Sequence, residues 1–256
     1  MKVNLRGAIK TMKALLIRVG IDQSKKGGRW NAPVDPESGK FVFVPIPDSK
    51  KQKYRPGLRR RYGEVQPALD AFADDYEISR TTGLGFPQKL RNRAMHLDPD
   101  FEYLSYGGGR QAPKLKRLKA GDLVVFFSGL KPITRSKNKL DYAIIGIFVV
   151  KNVDHAAEVT ASHFKENAHT RWRVISGKDV IVRGVPKLSG RLERSIVIGE
   201  WRDGAYRLTK KMDRAWGGLE VKNGFLQKAT TPWFTNAKRF HDWFRERKLK
   251  LVAKNF

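Results

Sequence analysis

The sequence predicts an α+β fold: a mixed, strongly curved sheet or small barrel with flanking helices. Three observations predict it. Residues 123–128 and 143–150 are apolar without alternation, the pattern of strands covered on both faces. Residues 64–78 and 234–249 carry apolar side chains at helical spacing. The chain of 256 residues is 40% hydrophobic and 11% aromatic, enough to bury a core without covalent staples. There is no cysteine, which excludes disulfides, iron–sulfur clusters, cysteine zinc sites and thiol catalysis.

Residues 13–21 read Lys-Ala-Leu-Leu-Ile-Arg-Val-Gly-Ile, a short buried strand. Gly27, Gly28, Pro33, Pro36 and Gly39 punctuate a turn-rich stretch after it. Residues 41–46 alternate aromatic and branched side chains and are stopped by Pro45 and Pro47, so they predict a second strand and a wide hairpin with the first. Leu69, Phe72 and Tyr76 share a face in the helix predicted over 64–78. The segment His96-Leu97-Asp98-Pro99-Asp100 is extended or turn-like because of its proline. After the two apolar strands, a helix is expected near 160–168 and strands near 179–183 and 195–199. In the tail helix Phe240, Trp243 and Phe244 stand at i, i+3 and i+4. The expected organisation is a flexible leader over 1–12 and one domain over 13–256, with a basic insert at 49–61. The longest apolar run, 142–150, falls far short of the roughly 20 residues of a membrane span. No long apolar stretch near the start suggests a secretory signal, so a cytoplasmic location is expected.

Lys and Arg number 52 against 25 Asp and Glu, a net charge of +27. Such a surface favours a polyanion, since each cation set against a phosphate releases counterions. A general basic bias is the plainer alternative. Residues 49–61 concentrate the charge in Lys50, Lys51, Lys53, Arg55, Arg59, Arg60 and Arg61, with Tyr54 and Tyr62 interleaved. The segment is either a solvated loop or a contact to a nucleic-acid backbone with stacking rings.

No phosphate-binding Gly-x-x-x-x-Gly-Lys loop, dinucleotide fingerprint or Gly-x-Ser-x-Gly elbow occurs. These absences disfavour standard NTPases, dinucleotide oxidoreductases and α/β-hydrolases. The five histidines, 96, 155, 163, 169 and 241, show no zinc spacing, and no metal site is predicted. His96-x-Asp98-x-Asp100 could gather ligands for a hard cation, but a self-capping turn fits the proline better. Arg18 inside an apolar strand must pair or face a cleft, with Asp22 at the strand end as its nearest acid. Trp30 offers a stacking plate and Asn31 an amide able to read a base edge; the alternative is an Arg18–Asp22 ion pair with Trp30 in the core. Arg171-Trp172-Arg173 has the composition of a phosphate-and-stack contact.

Taken together, Arg18-Val19-Gly20-Ile21-Asp22, Trp30-Asn31-Ala32-Pro33, Phe43-Val44-Pro45-Ile46-Pro47, His96-Leu97-Asp98-Pro99-Asp100-Phe101, Gly121-Asp122-Leu123-Val124-Val125-Phe126 and Asn167-Ala168-His169 resemble, in that order, the third family of nucleotide-modification-associated domains. Over about 13–200, the resemblance implies a component of a system, phage-related or defensive, that modifies bases or nucleotides, with DNA favoured over RNA. It implies that Arg18, Asp22, Trp30, Asn31, His96, Asp98, Asp100 and His169 surround a shared pocket. Residues 118–128 with 144–150 are also similar to the central hairpin of PUA, ASCH and EVE-like barrels, which implies a PUA-like barrel holding a base or RNA segment.

Two functions follow as expectations. In an enzyme acting on nucleotides or bases, Asp22 or Asp98 would serve as acid or base, His96 or His169 as proton carrier, and Arg18 would steady negative charge. Trp30, Asn31, Asp100 and Arg171 would bind the substrate. In a non-catalytic module, Trp30 and another ring would hold a flipped or modified base. A general RNA-associated protein relying on charge alone is a third expectation. No cofactor is indicated, and modification-system enzymes are expected partners.

Overall fold

A computed structural model describes residues 12–22, 30–78, 84–134, 139–227 and 231–256. The expected leader, apart from Met12, and the turn at Gly27 and Gly28 lie outside the described residues. In chain order the strands are β1 (Ala14–Arg18), β2 (Pro33–Val34), β3 (Ile46–Pro47), β4 (Met95–His96), β5 (Ser105–Gly108), β6 (Leu123–Pro132), β7 (Asp141–His155), β8 (Val180–Gly184), β9 (Gly190–Val197), β10 (Gly199–Arg202), β11 (Ala205–Leu208) and β12 (Leu251–Val252). The α-helices are α1 (Gln66–Asp75), α2 (Ala112–Leu115), α3 (Ala168–Arg171), α4 (Lys210–Trp216) and α5 (Ala237–Glu246).

The two apolar runs form the spine. β6 and β7 pair antiparallel, with a register shift between Phe126 and Phe127. β1 lies parallel to β6, from Ala14 opposite Leu123 to Arg18 opposite Phe127. The second edge of β7 is shared: its first half takes β9, and its last residues take β8, which in turn pairs with β5. With β2 and β12 this makes a mixed eight-stranded sheet.

Alternation along each strand divides the side chains between two cores. Leu15, Ile17, Val124, Phe126, Phe148, Val180 and Val182 face one side, where Trp30, Phe43, Tyr62, Leu97 and Phe101 cover them. Ala14, Leu16, Leu123, Val125, Phe127 and Ile144 face the other, beneath Trp216, Phe234, Phe240, Trp243 and Phe244. Full burial of each large apolar side chain contributes about 1.5–3 kcal/mol, so covering both faces is what makes continuous apolar strands stable here. α5 presents the expected Phe240, Trp243 and Phe244 stripe, and its N-cap Asn236 accepts the Arg239 N–H at 2.9 Å.

Several expectations change. β1 is parallel to β6 instead of forming a hairpin with 41–46, and of that run only Ile46 enters a named strand, β3, which pairs with β4. The helix near 160–168 divides into a 3-10 turn over Ala161–Glu166 and α3, because Asn167 is extended and caps α3. Among the described residues the strand order does not close into a barrel, so the PUA-like part of the expectation gains no support. No helix among the described residues is long and apolar enough to cross a membrane.

Candidate functional site

β4 ends on His96, and Leu97 and Asp98 follow outside any regular element. Leu97 is fully buried in the first core. On either side of it, His96 and Asp98 meet His169 of α3. Asn167 organises the junction: its side chain accepts the His169 N–H at 2.9 Å and donates to Asp98 Oδ1 at 3.2 Å and to Ser105 Oγ at 3.1 Å. The Gly107 N–H adds a second hydrogen bond to Asp98 Oδ1 at 2.8 Å. Gly107 must be glycine, since a Cβ there would overlap the His169 ring and stand 2.6 Å from Asn167 Oδ1.

Both imidazoles are held in the same sense. His169 Nδ1 lies 2.7 Å from Asp179 Oδ2, and its Nε2 lies 3.8 Å from Asp98 Oδ2. His96 Nδ1 lies 3.3 Å from Asp48 Oδ1, too poorly aligned for a hydrogen bond, and its Nε2 is also 3.8 Å from Asp98 Oδ2. Trp172 covers the pair, stacked on His96 at 5.4 Å between centroids and tilted over His169 at 4.7 Å. Its indole N–H donates to Asp48 Oδ2 at 3.2 Å, and the Tyr54 hydroxyl donates to the same oxygen at 2.6 Å.

Burial dominates the electrostatics of Asp98. It lifts the carboxyl to about 7 against the lowering effects of His169, the Gly107 N–H and Asn167. Asp48 behaves oppositely. Burial alone would raise it, but the neighbouring His96 imidazole, with the Tyr54 and Trp172 donors, holds it below the usual carboxylate range. The Tyr54 phenol is pushed up, first by burial and then by Asp48.

His96, Asp98 and His169 each offer one ligand atom, and the three atoms lie within 4.8 Å of one another. Histidine spacing alone gave no sign of this, because the ligands come from separate segments. Asp100 takes the other role weighed for this motif. It caps its own turn, accepting the Glu102 and Tyr103 N–H groups at 3.1 and 3.3 Å. It is fully buried and ion-paired with Arg171, itself 3% exposed. Asp100 and Arg171 thus form part of the frame that holds α3.

The basic segment runs beside this cluster. Tyr54 and Trp172 form a β-bridge, the Arg55 N–H donates to the Arg171 carbonyl at 3.0 Å, and the Arg173 N–H donates to the Lys53 carbonyl at 2.9 Å. Lys50, Lys51, Lys53, Arg59 and Arg61 are exposed. Arg55 is spent on the Phe164 ring, 3.7 Å away, and Arg60 on Glu64.

The remaining candidates gather elsewhere. Arg18 follows Leu16 by two residues, on the face of the second core, with its guanidinium 4.8 Å from the Tyr142 ring centre and 2.9 Å from Asp22. Asn31 donates to the Gly129 carbonyl at 2.7 Å. Trp30 is 7% exposed, edge-on to Phe86, with its indole N–H on the Leu84 carbonyl at 2.8 Å. Burial there leaves Trp30 no ring face for a base, and Trp172 is the aromatic residue beside the histidines. Asp48 and Asp179 were missed in the sequence; Asp48 is 48 residues from His96 and Asp179 ten from His169, and neither stands in a recognisable motif.

Residues 13–255 match the family described as nucleotide modification associated domain 3. No curated protein and no solved structure matches the chain.

Proposed function

This chain belongs to the nucleotide modification associated domain 3 family, and on that premise we propose that it acts on or recognises a nucleotide, or a base of a nucleic acid, at the His96–Asp98–His169 site. One observation carries the reading: the exposed Lys53 of the basic segment and Trp172 share one hydrogen-bonded backbone ladder beside the polar cluster. Lys50, Lys51, Lys53, Arg59 and Arg61 supply charge for phosphates. Trp172 supplies a face for a base, and stacking of that kind contributes about 1–3 kcal/mol. His96, Asp98 and His169 supply the polar groups for recognition or chemistry. Arg18, Asp22 and Asn31 hold a second polar group on the other core's face, and our reading places no reacting atom there.

The test is to incubate the wild-type chain and Asp98→Asn with genomic DNA, phage DNA, RNA and free nucleotides, and to profile nucleosides by mass spectrometry. A new nucleoside in one arm, absent with Asp98→Asn, supports catalysis. Unchanged nucleosides with tight binding in one arm favour a reader of modified bases. Unchanged nucleosides with no binding at low salt overturn both readings.

A further inference from the structure

We infer that His96 Nε2, His169 Nε2 and Asp98 Oδ2 form a binding site for one divalent first-row transition-metal ion. This inference concerns the site discussed above but rests only on donor geometry, independent of the nucleotide reading.

The three donors converge. Both Nε2 atoms stand 3.8 Å from the same carboxylate oxygen, and all three atoms lie within 4.8 Å of one another. Ligands about 2.0–2.2 Å from an ion stand roughly 3.0–3.4 Å apart, so about an ångström of closure completes the set. That is within reach of small side-chain torsion changes.

The outer contacts orient every donor toward the common point. Asp98 Oδ1 is occupied by the Gly107 N–H and the Asn167 amide, which leaves Oδ2 aimed at the histidines. Asp179 sits on His169 Nδ1 and Asp48 stands beside His96 Nδ1. A carboxylate on the far nitrogen fixes the tautomer of a ligating histidine and raises its basicity. Asp179 on His169 Nδ1 leaves Nε2 as that ring's ligand atom, facing Asp98 Oδ2 in a largely buried place where a cation would be held between them.

The donor set also selects the ion. Two imidazole nitrogens and one carboxylate suit zinc, iron(II), cobalt(II), nickel(II) or manganese(II), whereas magnesium and calcium prefer oxygen ligands throughout. Three protein ligands leave at least one coordination position open to water or a ligand oxygen. Trp172 stacks over the ring of His96 and lies against that of His169, so it would report an ion bound between them.

The test is titration of the full chain, stripped with a chelator and free of nucleotide, with cobalt(II) and zinc(II). Calorimetry gives the stoichiometry, the visible cobalt spectrum reports the ligand set, and tryptophan fluorescence reports proximity. The expected result is one ion per chain, unaffected by excess magnesium. Asp98→Ala and His169→Ala lose it, His163→Gln retains it, and Asp179→Asn weakens it about 10–100-fold. Cobalt quenching that disappears in Trp172→Phe supports the site even if the ligand variants fail to fold. Absence of stoichiometric binding, binding retained by Asp98→Ala, displacement by equimolar magnesium, or quenching unchanged in Trp172→Phe overturns it. Because no nucleotide is present, metal binding can fail while nucleotide binding persists, and the reverse.

Discussion

Replacing Arg171 by methionine should destabilise the protein by about 3–5 kcal/mol, the cost of leaving one partner of a buried ion pair alone. The magnitude follows from the surroundings. Asp100 is fully buried and Arg171 is 3% exposed, so water cannot replace the lost partner. Asp100 Oδ1 would keep the Asn255 amide at 3.0 Å and its turn N–H groups, but Oδ2 would lose the guanidinium. The guanidinium also donates to the Lys165 carbonyl, at 2.9 Å from Nε, and that carbonyl would lose its donor too. For a chain of this size the loss corresponds to a drop in Tm of about 10 °C. Urea denaturation of wild type, Arg171→Met, Asp100→Asn and the double variant measures it. The double-mutant cycle should show coupling of at least about 1.5 kcal/mol. Single variants within about 0.5 kcal/mol of wild type, or an additive cycle, would refute the assignment of this pair to the frame of α3.

Three further outcomes are expected. Gly107→Ala should cost about 1–3 kcal/mol through overpacking against His169 and Asn167; unchanged thermal stability would contradict the close approach. Trp30→Phe should lower stability by about 1 kcal/mol, the worth of one hydrogen bond, and leave ligand binding intact, while Trp172→Phe should lose the Asp48 hydrogen bond at a similar cost and also weaken binding of a nucleotide or base; binding lost in Trp30→Phe and kept in Trp172→Phe would return the stacking role to Trp30. Glu166 supplies a pH dependence. Burial would raise its carboxyl, but the His163 hydrogen bond and the charge and hydrogen bond of Arg183 hold it below 4.5. The unfolded state therefore binds more protons in acid, so this contribution is present above about pH 4.5 and is lost as pH falls through the depressed native value. Urea midpoints measured from pH 3 to 6 should fall less steeply in Glu166→Gln than in wild type.

What could be read in the sequence was what local pattern dictates. β6 and β7 announced themselves because both faces are buried, and α5 because three rings recur at helical spacing. The partner of β1 was illegible: parallel pairing to a strand over a hundred residues away leaves no turn between the two. For the site, the spacing His96-x-Asp98-x-Asp100 raised the idea of a shared ligand set, and the resemblance to the family supplied His169. Trp172 could be read as a stacking ring but not as a neighbour of the histidines, while Asp48 and Asp179 carried no motif, Asp48 joining His96 only through packing of separate segments. Trp30 misled for a related reason, since an aromatic side chain near a polar motif looks the same in sequence whether its ring is open or enclosed.

The ladder joining residues 53–55 to 171–173 has a geometric consequence. Tyr54 and Trp172 are bridged through the main chain, so the backbone of the charged strip and that of the indole are set at a fixed spacing. On the proposed reading, a phosphate at Lys53 and a base on Trp172 would be held at a separation that the main chain sets in advance.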